Sequence, residues 1–585
     1  DDIKNFRQLH SKCAGHPEYG LAPGIEVTTG PLGQGAANSV GMAMAERWLQ
    51  TYFNRPGNEI INYNIFAIAG DGCMMEGISG ESASLAGHLG LSNLVWLYDS
   101  NNITIEGETS LAFSEDVAVR FKAYGWNVLH VQDANDLGAL EKEIQAAIDE
   151  ANRPSIIIVD SHIAYGSPNK QDSAGAHGSP LGEDEIRATK ENYGWDPDKT
   201  FYVPDEVAKF KEDMVAKGAK LEEEWNEKMK AYAEAHPDLA KQFDMMQNCE
   251  LPEDWETIIP EFPADAKGLA TRESSSKILN TIADKIPWFM GGSADLGPST
   301  KTYIKEASSF NKENYGGRNF HFGVREHAMG AIINGMSLSK LRPYGATFFV
   351  FSDYVRPAIR LSSLMKQPVV YIFTHDSIGV GEDGPTHQPV EHLASLRAMP
   401  GLDVIRPSDA NELSVMWKYI MGLKDRPVAL VLSRQGMPTL DRSKYAPADG
   451  ALKGAYVLIE SDGTPDVILI GTGSEMQICL DAYEQLTNEG INARVVSMPC
   501  CSLFQSQDKE YREKVLPRSV KARIVVEAGS TFGWHGYTGR EDDCGIFGLK
   551  DFGASAPAGE LYKEFGFTTE RVVQVAKNVI KKNKK

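Results

Sequence analysis

The sequence predicts an α/β protein made of three consecutive α/β domains with mostly parallel sheets. Short apolar runs of strand length alternate with longer helix-like stretches along the 585 residues, which is the pattern of β-α-β units. Polar residues follow several of these runs, at the position where open parallel sheets bind their ligands. A chain of this length is expected to form about three domains, each with its own core.

The composition is typical of a soluble globular protein. Hydrophobic residues make up 42% and charged residues 24% of the chain, which is typical of globular proteins. The net charge of −21 argues against a nucleic-acid partner. No apolar run approaches the roughly twenty residues that a membrane-spanning helix needs. The 7 cysteines lack zinc-type spacing and predict reduced thiols in a reducing compartment.

The first β-α-β unit carries a candidate metal site. Apolar strands are predicted at 65–69 and 94–97, with a helix over 78–88 between them. Asp71 follows the first strand, and Asn101 follows the second. A carboxylate and an amide carbonyl at one sheet edge form a hard-cation site for Mg²⁺ or Ca²⁺, and such sites commonly bind ligand phosphates as well. Each motif taken alone is also typical of a tight turn.

Changes in composition mark the domain boundaries. The stretch 206–247 is charged and helix-forming, 251–267 is rich in proline, and 436–450 is rich in turn residues. The prediction is therefore a first domain at 1–235, a linker at 236–267, a second domain at 268–444 and a third at 445–585. Further strands are predicted near 126–131, 155–159, 368–373, 404–405, 428–432, 493–497 and 523–527, with another beginning at Asp466 and a helix near 475–489.

Longer motifs turn this pattern into a family resemblance. They are Gly15-His16-Pro17-Glu18, Thr29-Gly30-Pro31-Leu32-Gly33-Gln34-Gly35, Gly70-Asp71-Gly72, Asn101-Asn102, Gly291-Gly292-Ser293-Ala294-Asp295-Leu296, Gly323-Val324-Arg325-Glu326-His327 and Thr374-His375-Asp376-Ser377, which continues to Gln388. In this order they resemble the transketolase family over essentially the whole chain. The resemblance implies a thiamine diphosphate-binding fold plus a C-terminal α/β domain, with the diphosphate domain first and the pyrimidine domain second.

The resemblance implies a set of cofactor residues. Thiamine diphosphate reacts through a carbanion at its thiazolium C2, so a protein must bind, orient and deprotonate it. Asp71, Asn101 and the backbone carbonyl of Ile103 would hold Mg²⁺ or Ca²⁺ on the diphosphate. Glu326 matches the glutamate that hydrogen-bonds the aminopyrimidine, although a first-turn carboxylate that stabilises a helix dipole is the alternative. The implied cofactor contacts are Gly30, Leu32, Gly72, Asn101, His177, Asp295, Glu326, Phe348, Phe351 and Tyr354.

The resemblance also implies sugar phosphate substrates, which need cationic contacts. The residues implied for phosphate binding are Arg272, Ser299, His375 and Arg434. Those implied for the sugar hydroxyls and for proton transfer during C–C cleavage are His16, His177, Asp383 and His387. With Glu326, the histidines His16, His177 and His387 form the expected catalytic set. The alternatives are surface ion pairs for the arginines and structural roles for the histidines.

The expected reaction is the reversible transfer of a two-carbon ketol unit from a ketose phosphate to an aldose phosphate. Xylulose 5-phosphate is an expected donor, and ribose 5-phosphate or erythrose 4-phosphate is the expected acceptor, in the pentose phosphate pathway or the Calvin cycle. We expect a homodimer with active sites at the subunit interface, in the cytoplasm or the plastid stroma. The stretches Glu527–Thr531 and Phe552–Gly559 lean toward plant or algal members of the family.

Two alternatives are kept. The first is another enzyme of the same cofactor class, such as a deoxyxylulose phosphate synthase or a phosphoketolase. The second is a non-catalytic thiamine-binding or assembly protein. Transketolases carry two further histidines upstream of the point that matches Asp1, so we expect the first domain to lack its N-terminal part.

Overall fold

The computed structural model describes residues 2–539 and 545–583. The chain divides into two compact units. The first unit comprises Asp1–Glu250, Ser309–Gly317 and Ala331–Leu341, and the second comprises Leu251–Ser308, Arg318–Gly330 and Arg342–Lys585. Each unit is a layered arrangement of helices and sheets, as the alternation of short and long elements predicts.

The first unit is built on a four-stranded sheet in which every pairing is parallel. Its strands are β1 (Ile65–Gly70), β2 (Leu94–Ser100), β3 (Asn127–Val131) and β4 (Ser155–Asp160), in the spatial order β1-β2-β4-β3. Its helices are α1 (Gln34–Phe53), α2 (Asp71–Met75), α3 (Gly77–Leu89), α4 (Val117–Ala123), α5 (Leu137–Asp149), α6 (Glu183–Asn192), α7 (Asp205–Ala235) and α8 (Pro237–Gln247).

Local sequence signals explain where several of these helices begin and end. Asp116 and Asp136 accept hydrogen bonds from backbone N–H groups in the first turns of α4 and α5, which is the usual role of an N-cap aspartate. Helix α3 ends at Gly90, whose φ of 62° suits glycine. The predicted helical connector 206–247 is two helices, because the chain leaves the helix at His236 and restarts with Pro237 in the first turn of α8.

The second unit contains a six-stranded parallel sheet and a five-stranded sheet. Its strands are β5 (Asp265–Ala270), β6 (Phe289–Ser293), β7 (Asn319–His321), β8 (Arg342–Phe348), β9 (Val370–Thr374), β10 (Asp403–Ile405), β11 (Val428–Leu432), β12 (Gly436–Thr439), β13 (Tyr456–Ile459), β14 (Val467–Gly471), β15 (Ala493–Ser497), β16 (Arg523–Ser530) and β17 (Gly545–Leu549). The larger sheet has the order β10-β11-β9-β8-β6-β7, and the smaller has the order β13-β15-β14-β16-β17, with β13 antiparallel.

Helices follow most of these strands. They are α9 (Thr271–Lys285), α10 (Gly297–Thr300), α11 (Glu326–Leu338), α12 (Ser352–Leu364), α13 (His392–Arg397), α14 (Ala410–Gly422), α15 (Met476–Asn488), α16 (Cys501–Ser506), α17 (Lys509–Val515), α18 (His535–Thr538), α19 (Ala558–Glu564) and α20 (Thr569–Asn583). The mixture of helices and mostly parallel strands confirms the predicted α/β class.

One pairing departs from the prediction. The stretch after Gly436 was expected to be only turns, yet β12 pairs antiparallel with β5. Gly268 makes this possible, because its φ is 72° and a Cβ there would lie 1.9 Å from the carbonyl oxygen of Met437. Side-chain periodicity does not predict this pairing, because a close backbone contact of this kind depends on the absence of a side chain.

Close helix packing within the first unit also depends on glycine. A Cβ at Gly41 in α1 would lie 1.9 Å from the carbonyl oxygen of Ile332, and one at Gly335 would lie 2.0 Å from that of Asn38. Both glycines belong to apolar helices, where glycine otherwise costs about 1 kcal/mol relative to alanine. The two positions therefore let α1 and the segment Ala331–Leu341 approach to backbone contact.

Two further observations bear on the expectations from composition. Cys13, Cys73, Cys249, Cys479, Cys500 and Cys501 are all free thiols, whereas Cys544 and Asp1 lie outside the described residues. Across 2–539 and 545–583, no helix combines the length and the apolar character that crossing a membrane requires.

Candidate active site

A cavity of about 640 Å³ opens in the first unit at the carboxyl ends of β1 and β2. Its lining includes Asp71, Asn101 and Ile103, the three predicted metal ligands. It also includes Leu32, Gly72 and His177 from the predicted cofactor set. The structure thus brings together residues from several separate segments of the chain, at the sheet edge where parallel sheets bind ligands.

Asp71 is held in one orientation inside this cavity. Its carboxylate is 3% exposed and accepts hydrogen bonds from the Tyr98 hydroxyl at 2.6 Å and from the Asn102 backbone N–H at 3.0 Å. Burial is the largest influence on the Asp71 carboxyl and raises its pKa, while these hydrogen bonds act in the opposite direction. A buried carboxylate without a cationic partner favours a bound cation, because the ion restores the charge balance that burial disturbs.

Asn101 presents its amide beside the same aspartate. Its Oδ1 accepts a hydrogen bond from the Ile103 N–H at 3.0 Å, and its Nδ2 donates to Asp99 Oδ2 at 3.1 Å. Ser161 donates to the other oxygen of Asp99. This hydrogen bond holds the Asp99 carboxylate, which in turn orients the amide of Asn101. Oxygen atoms from a carboxylate, an amide and a backbone carbonyl are the donor set that Mg²⁺ or Ca²⁺ takes, and the site therefore fits such an ion.

Gly72 and the nearby Gly33 lie close to neighbouring side chains. A Cβ at Gly72 would lie 2.9 Å from Leu32 Cδ1, and one at Gly33, whose φ is 80°, would lie 2.5 Å from Ile78 Cγ2. A Cβ at Gly30 would touch the ring of His16 at 3.7 Å. These glycines leave the backbone accessible to a ligand, which fits a diphosphate-bearing cofactor.

A second group of predicted residues lies in the second unit. Phe348 ends β8, Phe351 lies in the 3-10 turn that follows, and Tyr354 is in the first turn of α12. The Phe348 and Phe351 rings are nearly parallel, with centroids 6.0 Å apart and an interplanar angle of 13°. Tyr354 lies 6.1 Å beyond Phe351. The three residues form an aromatic row across a strand end, a turn and the start of a helix.

Glu326 begins α11, and its side chain is partly exposed. A carboxylate in the first turn stabilises the helix dipole, and its partial exposure also leaves it accessible to a ligand. Asp295 follows β6 in a left-handed conformation with φ 60°, which is uncommon for a residue other than glycine. Asp383 lies on a loop of the same unit and is exposed, and Ser299 lies in the short helix α10 and is partly exposed.

His375 lies at the centre of a cationic cluster. Its ring centroid is 3.7 Å from that of Phe348, and its Nε2 is 3.5 Å from Arg272 Nη1. Arg272 also donates to the Ser299 carbonyl at 2.9 Å, and its buried Nε donates no hydrogen bond. Arg434 contributes a further positive charge to the environment of both residues. Arginine donors without a carboxylate partner form a natural site for a phosphate.

The electrostatics of this cluster correct one expectation. His375 was predicted to be a cationic contact, but burial, followed by Arg272 and Arg434, lowers its pKa to about 3. The imidazole is therefore neutral at pH 7, and the positive charge comes from the arginines alone. Burial and Arg434 also lower the pKa of Arg272, as expected when like charges share a site. The Nε2 of the neutral ring accepts from Arg272 Nη1 at 3.5 Å, so His375 orients this guanidinium.

His387 lies beside the aromatic row. Its ring meets Phe351 edge-on with centroids 5.6 Å apart, and its Nδ1 lies 2.9 Å from the Thr386 hydroxyl. Thr374 holds His375 Nδ1 in the same way at 2.8 Å. A hydroxyl at Nδ1 fixes each ring orientation. It leaves the Nε2 of His387 for a ligand, whereas the Nε2 of His375 faces Arg272 Nη1. Each threonine directly precedes its histidine in the sequence, so the Thr-His pairs of the motifs indicate these contacts.

Comparisons with known proteins agree with this geometry. In succession, the chain matches models of the transketolase thiamine diphosphate-binding domain over residues 1–252, the transketolase pyrimidine-binding domain over 267–439 and the transketolase-like C-terminal domain over 454–568. The transketolase of Halalkalibacterium halodurans is 52% identical over 582 residues, covering 99% of this chain and 87% of that protein. The chloroplastic transketolase of Solanum tuberosum is 48% identical over 587 residues, covering 99% and 78%.

Solved structures give the same answer. A transketolase structure from Leishmania mexicana aligns with a TM-score of 0.95 at 42% identity, covering 100% of this chain and 85% of that one. A Pichia stipitis transketolase in complex with sedoheptulose 7-phosphate aligns with a TM-score of 0.96 at 42% identity, covering 100% and 86%. These structures share the fold of the chain.

Proposed function

The chain belongs to the transketolase family, and from this premise we propose which of its residues carry the reaction. It is a thiamine diphosphate-dependent transferase that moves a two-carbon ketol unit reversibly from a ketose phosphate to an aldose phosphate. The observation that supports the proposal best is the cluster of Arg272, His375 and Arg434 beside Phe348. It joins a phosphate-binding group to an aromatic surface, as a sugar phosphate enzyme with an aromatic cofactor requires.

We assign the diphosphate end of the cofactor to the first unit. Asp71, Asn101 and the Ile103 carbonyl would bind a divalent ion, Mg²⁺ or Ca²⁺, that in turn holds the diphosphate. Gly30, Leu32 and Gly72 would line the path of the cofactor, and His16 and His177 would face it from the rim. The raised pKa of the Asp71 carboxyl supports the ion, because a cation would restore full ionisation of this buried acid.

We assign the aminopyrimidine to the second unit. Phe348, Phe351 and Tyr354 would contact its ring, since aromatic faces stack favourably on planar heterocycles. Glu326 would hydrogen-bond the ring and hold the proton that the cofactor exchanges during activation. When bound, the cofactor supplies a nucleophilic carbon that accepts the ketol unit. Asp295 is assigned to the same cofactor set by its motif.

Substrate residues follow from the charge distribution. Arg272 and Arg434 would bind the substrate phosphate as cations, with neutral His375 orienting Arg272 and Ser299 adding a hydrogen bond. His16, His177, His387 and Asp383 would contact the sugar hydroxyls, and the histidines would move protons as the C–C bond breaks. A related Pichia stipitis structure is a complex with xylulose 5-phosphate, which supports ketose phosphates as donors for this chain.

We propose that the active unit is a homodimer in which each active site uses both subunits. The metal residues belong to the first unit and Glu326 to the second, and in an isologous pair each of two equivalent sites would take one set from each chain. Mixing inactive Asp71→Ala protein with inactive Glu326→Ala protein tests this. A mixed dimer would carry both lesions in one site and none in the other, so activity should recover toward half per mixed dimer. Exchange of subunits without recovery would refute the shared site.

We also propose that the protein acts in the pentose phosphate pathway or the Calvin cycle, in the cytoplasm or the plastid stroma. Its relatives include both bacterial and chloroplastic enzymes, so either setting is consistent with them. Localisation of a tagged full-length protein in the source organism would decide between them. A signal confined to a membrane or a secretory compartment would contradict both.

A two-substrate assay tests the reaction itself. The protein with thiamine diphosphate and Mg²⁺ should convert xylulose 5-phosphate and ribose 5-phosphate into a seven-carbon ketose phosphate and a triose phosphate. A phosphoketolase would release acetyl phosphate from xylulose 5-phosphate and inorganic phosphate, and a deoxyxylulose phosphate synthase would release CO₂ from pyruvate. Formation of either of these products without ketol transfer would overturn the assignment. Cofactor binding without turnover of any of these substrates would favour a non-catalytic role.

A further inference from the structure

His392 has an unusual environment for a buried histidine. Its side chain is 4% exposed, and neither ring nitrogen makes a hydrogen bond. The Phe349 ring covers it, with centroids 5.7 Å apart. Buried polar groups in native proteins nearly always have a partner, and leaving one unsatisfied costs about 1–3 kcal/mol. The ring therefore lacks the hydrogen bonds that a buried imidazole normally makes, although charged side chains lie close to both of its nitrogens.

Two carboxylates lie beside these nitrogens. Asp353 Oδ2 is 3.2 Å from Nε2, and Glu391 Oε2 is 3.9 Å from Nδ1. Asp353 belongs to the first turn of α12, and Glu391 is the N-cap residue of α13. One ligand atom from each of the three side chains can be chosen so that all lie within 4.8 Å of one another.

The charge of this cluster favours a cation. The two carboxylates are more than half exposed, at 63% and 57%, so they can rotate toward a shared ion at little cost. The nearest arginine on α12, Arg356, is already engaged, since its Nη1 donates to the carbonyl and the hydroxyl of Ser395. Ligands of a tetrahedral ion at about 2.1 Å lie about 3.4 Å apart, so a modest contraction of the cluster would complete the site.

We propose that Asp353, Glu391 and His392 bind a first-row divalent metal ion of the zinc class, at a site separate from Asp71 and Asn101. An imidazole with two carboxylates suits Zn²⁺ or Co²⁺ better than Mg²⁺, which prefers oxygen ligands alone. The ion would link α12, which carries Tyr354, to α13. It therefore acts on the stability of this pair of helices, and its binding does not depend on the proposed reaction.

Titration of the untagged full-length protein with Co²⁺ tests the proposal. An excess of Mg²⁺ without thiamine diphosphate occupies the all-oxygen site, and visible absorption then reports Co²⁺ that has a histidine ligand. The wild type should bind one such ion per chain, Zn²⁺ should displace it, and Zn²⁺ should raise the melting temperature. The Asp353→Asn, Glu391→Gln double variant should lose affinity by at least about tenfold, because it removes both anionic ligands.

The controls keep the outcome interpretable. Asp160→Asn is the matched variant, because it alters an exposed carboxylate 2.9 Å from a different histidine, His130, and it should bind Co²⁺ like the wild type. Because both substituted carboxylates are exposed, the double variant should keep the near-ultraviolet circular dichroism of the wild type. Equal Co²⁺ affinity in the double variant and the wild type overturns the site. So does the absence of an anomalous peak beside His392 in wild-type crystals soaked with Zn²⁺, an experiment that needs no variant.

Discussion

Replacing His375 with asparagine should make the protein less sensitive to acid. The imidazole is buried against Phe348 and faces two arginines, and these influences lower its pKa from an ordinary 6.5 to about 3. The unfolded chain therefore binds more protons than the folded chain between these values. Stability must then fall as the pH drops below 6.5, because protonation favours the unfolded state.

The size of the effect follows from the same pKa difference. At pH 5 the unfolded imidazole is mostly protonated and the folded one is neutral, which costs about 2 kcal/mol relative to pH 7. The His375→Asn variant lacks this cost. Its urea midpoint should therefore decrease less between pH 7 and pH 5 than that of the wild type, even if the substitution lowers the midpoint at both pH values.

The assay compares urea unfolding of the protein without cofactor at the two pH values, followed by circular dichroism and tryptophan fluorescence. Acid-sensitive groups elsewhere are common to all variants and cancel in the comparison. His130→Asn, which removes an exposed histidine paired with Asp160, controls for the loss of a histidine from the unfolded chain. An equal decrease of the midpoint in His375→Asn and in the wild type would refute the argument that burial keeps this ring neutral.

Three further predictions concern the proposed site. Asp71→Ala or Asn101→Ala should abolish metal-dependent retention of thiamine diphosphate, because the ion loses a charged or a carbonyl ligand; unchanged affinity in calorimetric titrations with Mg²⁺ would exclude the site. Glu326→Ala should bind the cofactor but exchange its C2 proton slowly, and a normal deuterium exchange rate would reject that role. Arg272→Ala or Arg434→Ala should raise KM for phosphorylated sugars about ten- to a hundredfold with a smaller effect on kcat, since a charge-assisted contact contributes about 1.5–3 kcal/mol. Equal losses with unphosphorylated donors would make these arginines structural.

The sequence predicted the elements around the proposed diphosphate site closely. Strand β1, helix α3 and strand β2 lie within a few residues of their expected positions, and Asp71 and Asn101 line one cavity. This succeeded because the parallel strands have continuous apolar runs whose ends are clear. Burial was predicted less well, because Phe66 and Ile68 of β1 are 47% and 82% exposed. Tyr98 was missed, although it donates to Asp71 at 2.6 Å. It is part of the strand pattern, and a strand tyrosine is normally assigned to the core.

The charge state of the residues proposed for substrate binding was harder to predict. The motifs identified Arg272, His375 and Arg434, but a motif does not contain the distances that set a pKa. Arg272 and His375 are more than a hundred positions apart in the chain, yet Arg272 Nη1 lies 3.5 Å from His375 Nε2. Neutrality of His375 is a consequence of that approach and of burial. It could not be derived from residue types alone, because the ordinary pKa of histidine allows either charge near neutral pH.

A buried charge network explains how the His375 loop keeps its shape. His375 has a φ of 64°, a conformation that costs about 1–3 kcal/mol for a residue other than glycine and persists only where the surroundings impose it. The next residue, Asp376, accepts two hydrogen bonds from fully buried Arg406, at 2.7 and 3.0 Å.

Arg406 is in turn held by a residue far along the chain. Its Nη1 donates to Glu475 Oε2 at 2.5 Å, and Tyr562 donates to the other oxygen of Glu475 at 2.8 Å. Removing one partner would leave a buried charge uncompensated, which is far more destabilising than losing an exposed ion pair. The C-terminal part of the chain showed no chemistry in its sequence. Through Glu475 and Arg406, however, it holds Asp376, the residue next to His375. It would therefore act as a positioning element for the proposed substrate site.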